Sequence, residues 1–494
     1  MSFKNNSSRT TLLDRKKLFF NFSSYALGNI LTLSVGLVSF PLFTRILTIS
    51  EYGLLSLLNT ALMLLTCLSK GGVQNSINRF WKSENENSEL IATAYSGAFI
   101  CFSVVSLMTL PGFYFGWYGA EYNKFSMSVI AVCYFTVFFE IIRSIGNNVA
   151  VIEKKALLYS GLNVAHKYLR VLLPYLGILY VSNKMLGVAT GFMISSLVTM
   201  LVVINKIEFK VRFKFNKELI LNLFIFSFPL MLNELVNYVL NYCDRLFLAY
   251  YLDSAAVGLY SAAYNLSNNI EVVLITSINM TTAPLLLECY NKHGFDEMKC
   301  LLRRCLDWYC LLGSGIIALV VSIGPDLLVL LASSKYRAAA PVMLPVLLGV
   351  FLYGLYSLAA STLFFRNKTK VILTLCTTAT IINLIANWLL IPRLGLIGAA
   401  YATLVSFLFL GVVGMFLAYR NNISGIYLAA LKLTPAIIMV VVLNLISFPE
   451  LFLSVVVKSI VGTIVWAVIS YLFFTEVRNG ARTVSTYINN KIKA

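Results

Sequence analysis

Long apolar runs broken by short polar, mostly basic segments make up nearly the whole chain. A helix needs about 20 apolar residues to cross hydrocarbon. Reading the charge-poor runs between basic breaks predicts fourteen such helices, with approximate limits 19–45, 53–70, 91–115, 125–149, 159–181, 185–205, 219–248, 256–285, 305–331, 341–365, 370–391, 396–419, 427–447 and 451–474. The second run is short, and Lys432 and Lys458 interrupt the last two, so twelve is the lower count. The longest breaks, near 71–90, 206–218 and 286–304, read only as linkers, and none can hold a soluble domain. Leu18 to Thr44 carries no charge, is longer than the apolar core of a signal peptide, and is followed by no small-residue cleavage site. It reads as a retained first helix. The pattern predicts an all-α polytopic membrane protein.

Composition agrees: 59% of residues are hydrophobic and 12% charged, with a mean hydropathy of +0.81. Soluble proteins carry roughly 25% charged residues. Lys and Arg number 39 against 21 Asp and Glu, a net charge of +18. Cytoplasmic loops attract Lys and Arg. With the N-terminus inside, 27 of the 39 fall in segments predicted to be cytoplasmic, six in those outside and six within spans. Most of the surplus is therefore topological, both termini are expected to be cytoplasmic, and nothing here argues for nucleic acid. The nine cysteines contain no C-x-x-C pair and read as free thiols, with no metal site and no cofactor expected.

The chain also repeats itself. TRILTISEYGLLSLLN ends the first helix and starts the second, while DRLFLAYYLDSAAVGLYSAAYN does the same for the seventh and eighth. Each has an outer arginine, Arg45 or Arg245, and then Gly-Leu-x-Ser, at Gly53–Ser56 or Gly258–Ser261. Gly187 and Ala189 match Gly398 and Ala400 at a similar offset. Six helices separate the copies, an even number, so both have the same orientation. Such parallel repeats are one transporter plan.

Three stretches, CDRLFLAYYLDSAAVGLYSAAYNLSNNI, SSKYRAAAPVMLPVLLG and NLIANWLLIPRLGLIGAAYATLVS, resemble the polysaccharide flippases (Wzx-type O-antigen transporters) of the multidrug/oligosaccharidyl-lipid/polysaccharide exporter superfamily. The last stretch is the most specific, with Asn383, Asn387, Ile391, Pro392, Gly395, Gly398, Ala399 and Ala400. The resemblance runs from the Arg45–Tyr52–Gly53 region onward. It implies two pseudo-symmetric six-helix lobes around a central cavity with alternating access, and a cargo of undecaprenyl-pyrophosphate-linked sugar repeat units. On that plan the segments are a cytoplasmic N-terminus (1–18), an N-lobe (19–205, helices 1–6) and a linker (206–218). A C-lobe (219–419, helices 7–12), two further helices (427–474) and a cytoplasmic tail (475–494) complete it. The setting would be the bacterial inner membrane, with membrane lipids and polysaccharide polymerase or assembly proteins as partners. Fourteen spans exceeds the twelve often assigned to O-antigen members and is similar to the lipid II flippase branch.

A charge at a helix centre costs at least ~2.5–3.5 kcal/mol on insertion scales, so each needs a reason. Glu140 and Arg143 share a face at i,i+3, as do Lys167 and Arg170. By a rise of ~1.5 Å per residue, the three cations sit roughly 9–16 Å from the cytoplasmic helix ends. One reading pairs Glu140 with Arg143 and lets Lys167 snorkel. The other makes Arg143, Lys167 and Arg170 a head-group site, because a pyrophosphate needs several cationic donors and arginine offers a fork. Arg45 and Arg245 would stand at the outer mouth, although Arg245 could equally be a local structural partner of Asp244. Asn233, Asn237, Asn241 and Arg245 recur every four residues, with Tyr264, Asn265 and Asn268 on the next helix and a thinner set in Asn29, Thr32 and Asn59. Amides and tyrosine hydroxyls suit sugar hydroxyls; the alternative is glue between packed helices. Glu140, Glu234 and Glu271 are the candidates for ion coupling. Lys432 and Lys458 read as snorkelling charges or rim contacts.

The rivals are a drug or cation antiporter, a lipid II flippase, and a membrane enzyme of polysaccharide assembly. The six intramembrane bases disfavour cationic cargo. No phosphate-loop motif is present, and Glu84-Asn85-Glu86 reads as a solvated loop rather than a catalytic metal pair. A non-enzymatic flippase is the expectation.

Overall fold

The computed structural model describes residues 31–474 and Arg478, except 32–33, 37, 82–83, 116–120, 122–123, 154, 207–215, 272–274, 276, 421–431 and 447–449. Asn29 and Thr32 lie outside the described residues, as does the side chain of Glu271. Among the described residues the structure is helical, with no strand. The chain divides into two compact units, 1–258 and 259–494.

The first unit holds α1 (Ser34–Ile46), α2 (Ile49–Lys70), α3 (Val73–Phe80), α4 (Glu84–Tyr114), α5 (Met127–Ile152), α6 (Ala156–Tyr180), α7 (Lys184–Lys206) and α8 (Lys217–Tyr251). Helix α9 (Ser254–Glu271) crosses the unit boundary. The T-I-S-E sequence starts α2 through a reciprocal cap: the Glu51 amide donates to the Thr48 hydroxyl, and the Thr48 amide donates to the Glu51 carboxylate. Gly71 and Gly72 end α2 with φ of 57° and 70°, a backbone region glycine enters without a Cβ penalty. A Cβ on Gly72 would strike the Ser227 carbonyl of α8, so that turn is also a close approach.

The second unit continues with α10 (Ser277–Ala332), interrupted at Gly294 (φ 84°), then α11 (Ala340–Phe365), α12 (Thr369–Leu394), α13 (Leu396–Arg420), α14 (Thr434–Asn444) and α15 (Leu451–Phe473). The segments near 71–90 and 286–304 are therefore not mere linkers. The first contains α3 and the start of α4, which includes Glu84–Glu86, and the second lies within α10.

Among the described residues, ten helices are long and apolar enough to cross a membrane. Polar residues lower the hydropathy of α6, which carries His166, Lys167 and Arg170, and of α9, which carries Asn265, Asn268 and Asn269. The described parts of α1 and α14 are short.

Both repeat signatures correspond to helix contacts. Gly53 and Gly258 face each other across α2 and the start of α9, where a Cβ on either would overlap the other segment's backbone. Ser50 and Ser254 hydroxyls are 2.6 Å apart there. In the α6–α7 hairpin Gly187 packs on Gly177, and in the α12–α13 hairpin Gly398 packs on the Leu390 carbonyl. Small residues let apolar helices approach closely where lipid supplies no hydrophobic drive.

Helices α14 and α15 pack on α10 through Ala318, Ala436, Met439 and Leu443, with Trp466 seated against Gly315. Lys432 pairs with Asp307 at 3.0 Å, and Lys458 lies 3.8 Å from Asp326, which also accepts from the Ser454 hydroxyl at 2.8 Å. In place of the snorkelling or rim contact expected from the sequence, each lysine reaches an acid on α10.

A candidate anion site in the first unit

The site begins with Glu140 on α5. Its Oε2 accepts from Arg143 Nε at 2.6 Å, one turn further along the same helix. Its Oε1 is 2.8 Å from His166 Nε2 and 3.4 Å from Arg170 Nη1, both on α6. Ser196 on α7 donates its hydroxyl to the same oxygen at 3.4 Å. The cluster thus ties α5, α6 and α7 together at one buried carboxylate, 6% exposed. Helix α2 joins through Asn59, whose Oδ1 is 3.4 Å from Arg170 Nη2. The Arg170 guanidinium also lies over the Phe192 ring, 4.5 Å from its centroid.

Two arginines and a histidine against one glutamate leave the cluster positive. They also leave donors to spare. Arg143 Nη1 is buried without a hydrogen-bond partner among the described residues. The Arg170 hydrogen bonds to Glu140 and Asn59 are both 3.4 Å, longer than the usual 2.7–3.2 Å N–H···O range. A guanidinium has five N–H donors, so each arginine can serve Glu140 and an incoming anion together. One turn further along α5, Asn147 Nδ2 donates to Asn163 Oδ1 at 3.1 Å, while Asn147 Oδ1 is buried without a partner among the described residues.

Of the residues expected at a head-group site, Arg143 and Arg170 meet. Lys167 does not: it is exposed and has no ion pair among the described residues. The i,i+4 face of α6 turned toward α5 carries His166 and Arg170 instead. The sequence reading missed His166, Asn147 and Asn163, although Glu140–Arg143–Asn147 and Asn163–His166–Arg170 both follow helical spacing. Their polarity was visible in the sequence; which face of α6 meets α5 was not, because Lys167 and His166 are adjacent in sequence and only packing buries one and exposes the other.

The remaining candidates fall elsewhere. Arg45 is exposed at the end of α1. Arg245, 2% exposed, is held by Asp244 (3.1 Å), the Ser56 hydroxyl (3.2 Å) and the Asn241 carbonyl (3.0 Å), with Tyr242 beneath its guanidinium. Glu234 accepts from Lys70 at 2.8 Å and from Gln74 Nε2 at 3.4 Å, bracing α2 and α3 against α8. Asn237 and Asn241 donate to the carbonyls of Asn233 and Asn237, four residues back in their own helix. Asn233 is exposed, and Asn237 and Asn241 are half-buried. In the second unit Tyr264 is buried beside Tyr260, and Asn265 and Asn268 are half-buried.

Comparison with known proteins adds the family. Residues 18–289 match the family described as Polysaccharide biosynthesis protein, and 229–389 match the MatE family. An uncharacterized membrane protein of Methanocaldococcus jannaschii is 25% identical over 194 residues, which is 39% of this chain and only 38% of that relative's length. The lipid II flippase MurJ in an inward closed conformation superposes with a TM-score of 0.79 at 14% identity, covering 92% of this chain and 99% of that one. An inward-facing multidrug resistance MATE family transporter of the MOP superfamily gives 0.65 at 14% identity, covering 80% and 98%. These solved structures are transporters, and the enzyme alternative has no counterpart among them.

Proposed function

The chain belongs to the polysaccharide biosynthesis protein family and carries the fold of the MOP superfamily of membrane transporters; on that premise we propose that it flips undecaprenyl-pyrophosphate-linked oligosaccharide units across the bacterial cytoplasmic membrane. One observation carries this reading: Arg143 and Arg170 converge on a single carboxylate and keep unused N–H donors. Arginine holds a phosphate through two parallel charge-assisted hydrogen bonds, and a flippase must give an anionic head a path through hydrocarbon. No bond is made or broken in that act. The site need only exchange water for guanidinium on one side and the reverse on the other. The amides of α8, already donating to their own backbone, keep carbonyl oxygens for sugar hydroxyls.

The test is genetic. Arg170→Ala should abolish surface polysaccharide while the protein remains in the membrane, and Arg170→Gln, which keeps an amide but not the charge, should not rescue it. Normal polymer in the Ala variant at native expression overturns the assignment. A second reading, lipid II as cargo, draws on the MurJ-like fold over 92% of the chain. It predicts lysis on depletion rather than loss of surface polymer alone.

A further inference from the structure

The cluster around Glu140 contains one group whose charge is not permanent at physiological pH, and its hydrogen bonds define two states. His166 is 5% exposed and lies between two partners, Glu140 Oε1 at its Nε2 (2.8 Å) and Thr199 Oγ1 at its Nδ1 (3.1 Å). A carboxylate between two arginines accepts and does not donate, so Nε2 carries a proton. Thr199 has one hydroxyl proton and a good acceptor for it, the Ser195 carbonyl at 2.8 Å. When the hydroxyl donates there, the contact with Nδ1 is satisfied only if Nδ1 also carries a proton, and the ring is an imidazolium. When the ring is neutral, the Thr199 hydroxyl must turn toward Nδ1 and release the carbonyl. Rotation of one hydroxyl therefore accommodates one proton, with no backbone movement.

We infer that His166 is a proton site coupled to the anion site, charging as the anion binds and positioning Arg143 and Arg170 for it. The inference rests on the function proposed above. As an imidazolium, His166 holds Glu140 by a charge-assisted bond and competes with the arginines for that carboxylate, which turns guanidinium donors toward the cargo. It also adds one positive charge beside an incoming pyrophosphate. The charged groups facing His166 are Glu140 and Arg143 from α5 and Arg170 from its own helix; Lys167, the next residue along α6, is exposed. Among the described residues α7 presents only the uncharged Ser196 and Thr199 to it. A bound anion offsets the repulsion between these cations, so proton and anion each favour the other's binding, and by linkage to the same extent. The anion thus enters with a proton and is released more readily where the proton leaves.

The experiment uses the full-length protein in detergent with undecaprenyl pyrophosphate as the probe. Affinity is measured from about pH 5.5 to 8.5, a range that brackets histidine titration. Calorimetry in two buffers of different ionisation enthalpy then reads the protons taken up. Wild type should bind about tenfold more tightly at the acid end, roughly the effect of one added cation a few ångströms from an anion, and should take up protons beyond those the free probe binds. The probe's own phosphate titration is common to all variants, so the difference between wild type and His166→Gln is the signal. His166→Gln should lose the excess proton uptake, and Thr199→Val, which removes the Nδ1 partner, should shift the profile to lower pH. Identical pH profiles and proton uptake in wild type and His166→Gln overturn the inference. Should His166→Gln fail to fold, absence of excess uptake by wild type overturns it alone. If Arg170→Gln binds the probe as wild type does, it is the anion site that fails; if Arg170→Gln loses the probe while the histidine variants match wild type, only the proton site fails.

Discussion

Arg245 and Arg170 are both arginines in a very apolar chain, and their surroundings give them opposite roles. Arg245 is 2% exposed, and hydrogen bonds to Asp244, Ser56 and Asn241 surround its guanidinium. Removing one partner of a buried ion pair strands the other and costs about 3–5 kcal/mol, whereas replacing both by apolar groups is often neutral. Arg245→Met should therefore lower the thermal unfolding temperature in detergent, and Asp244→Leu with Arg245→Met should recover much of it. Arg170 is different: its contacts are long, a quarter of its side chain is exposed, and its loss should spare the fold. The α8 amides divide in the same way. Among the described residues Asn237 and Asn241 satisfy their own helix and not a neighbour, which weakens the glue reading. Replacing both with leucine should leave membrane abundance unchanged and slow or re-tune transport of the proposed sugar cargo; a fall in abundance alone would restore the glue reading.

At the scale of the element, the C-terminal pair α14–α15 is fastened to α10 by charge as well as by apolar packing. Asp307 and Asp326 are 19 residues apart, which at a rise of ~1.5 Å per residue is about 28 Å along the helix. The two lysines therefore reach α10 near opposite ends of one bilayer crossing. Asp307→Asn should loosen the Lys432 end of the pair, read as faster limited proteolysis of the full-length protein in detergent, while the exchange of Asp307→Lys with Lys432→Asp should restore resistance in part. Lys432 and Lys458 were conspicuous in the sequence as charges within apolar runs. Their acids were not, since Asp307 and Asp326 sit near the edges of the 305–331 run and resemble flanking charges. Pairing across more than 120 residues of chain leaves no periodicity to read. The break at Gly71–Gly72 is a similar case: a Gly-Gly pair signals a turn, but only the close approach of Ser227 shows that the turn is packed and that a further helix follows.

Over the whole molecule, the apolar runs and the repeated glycines were legible because each is written in local sequence or in its recurrence. The Gly53–Gly258 and Gly187–Gly177 contacts explain why the repeated glycines recur: each is a place where two backbones meet. The proposed anion site was legible only in part, since α2, α5, α6 and α7 all contribute to it and their relative rotation is a property of packing. Orientation rests on the charge bias, 27 basic residues on one side against six on the other, and it gives a prediction that needs no cargo. Cys300 is exposed in the basic stretch of α10 assigned to the cytoplasm. As the sole remaining cysteine it should react with a membrane-impermeant maleimide only after cells are permeabilised. Ser182, exposed between α6 and α7, belongs to the opposite face. As the sole cysteine, Ser182→Cys should be labelled in intact cells. Labelling of both from one side would overturn the number of spans between them, and the reverse pattern would overturn the orientation, placing the cationic cluster nearer the outer leaflet and changing the side from which it first meets its anion.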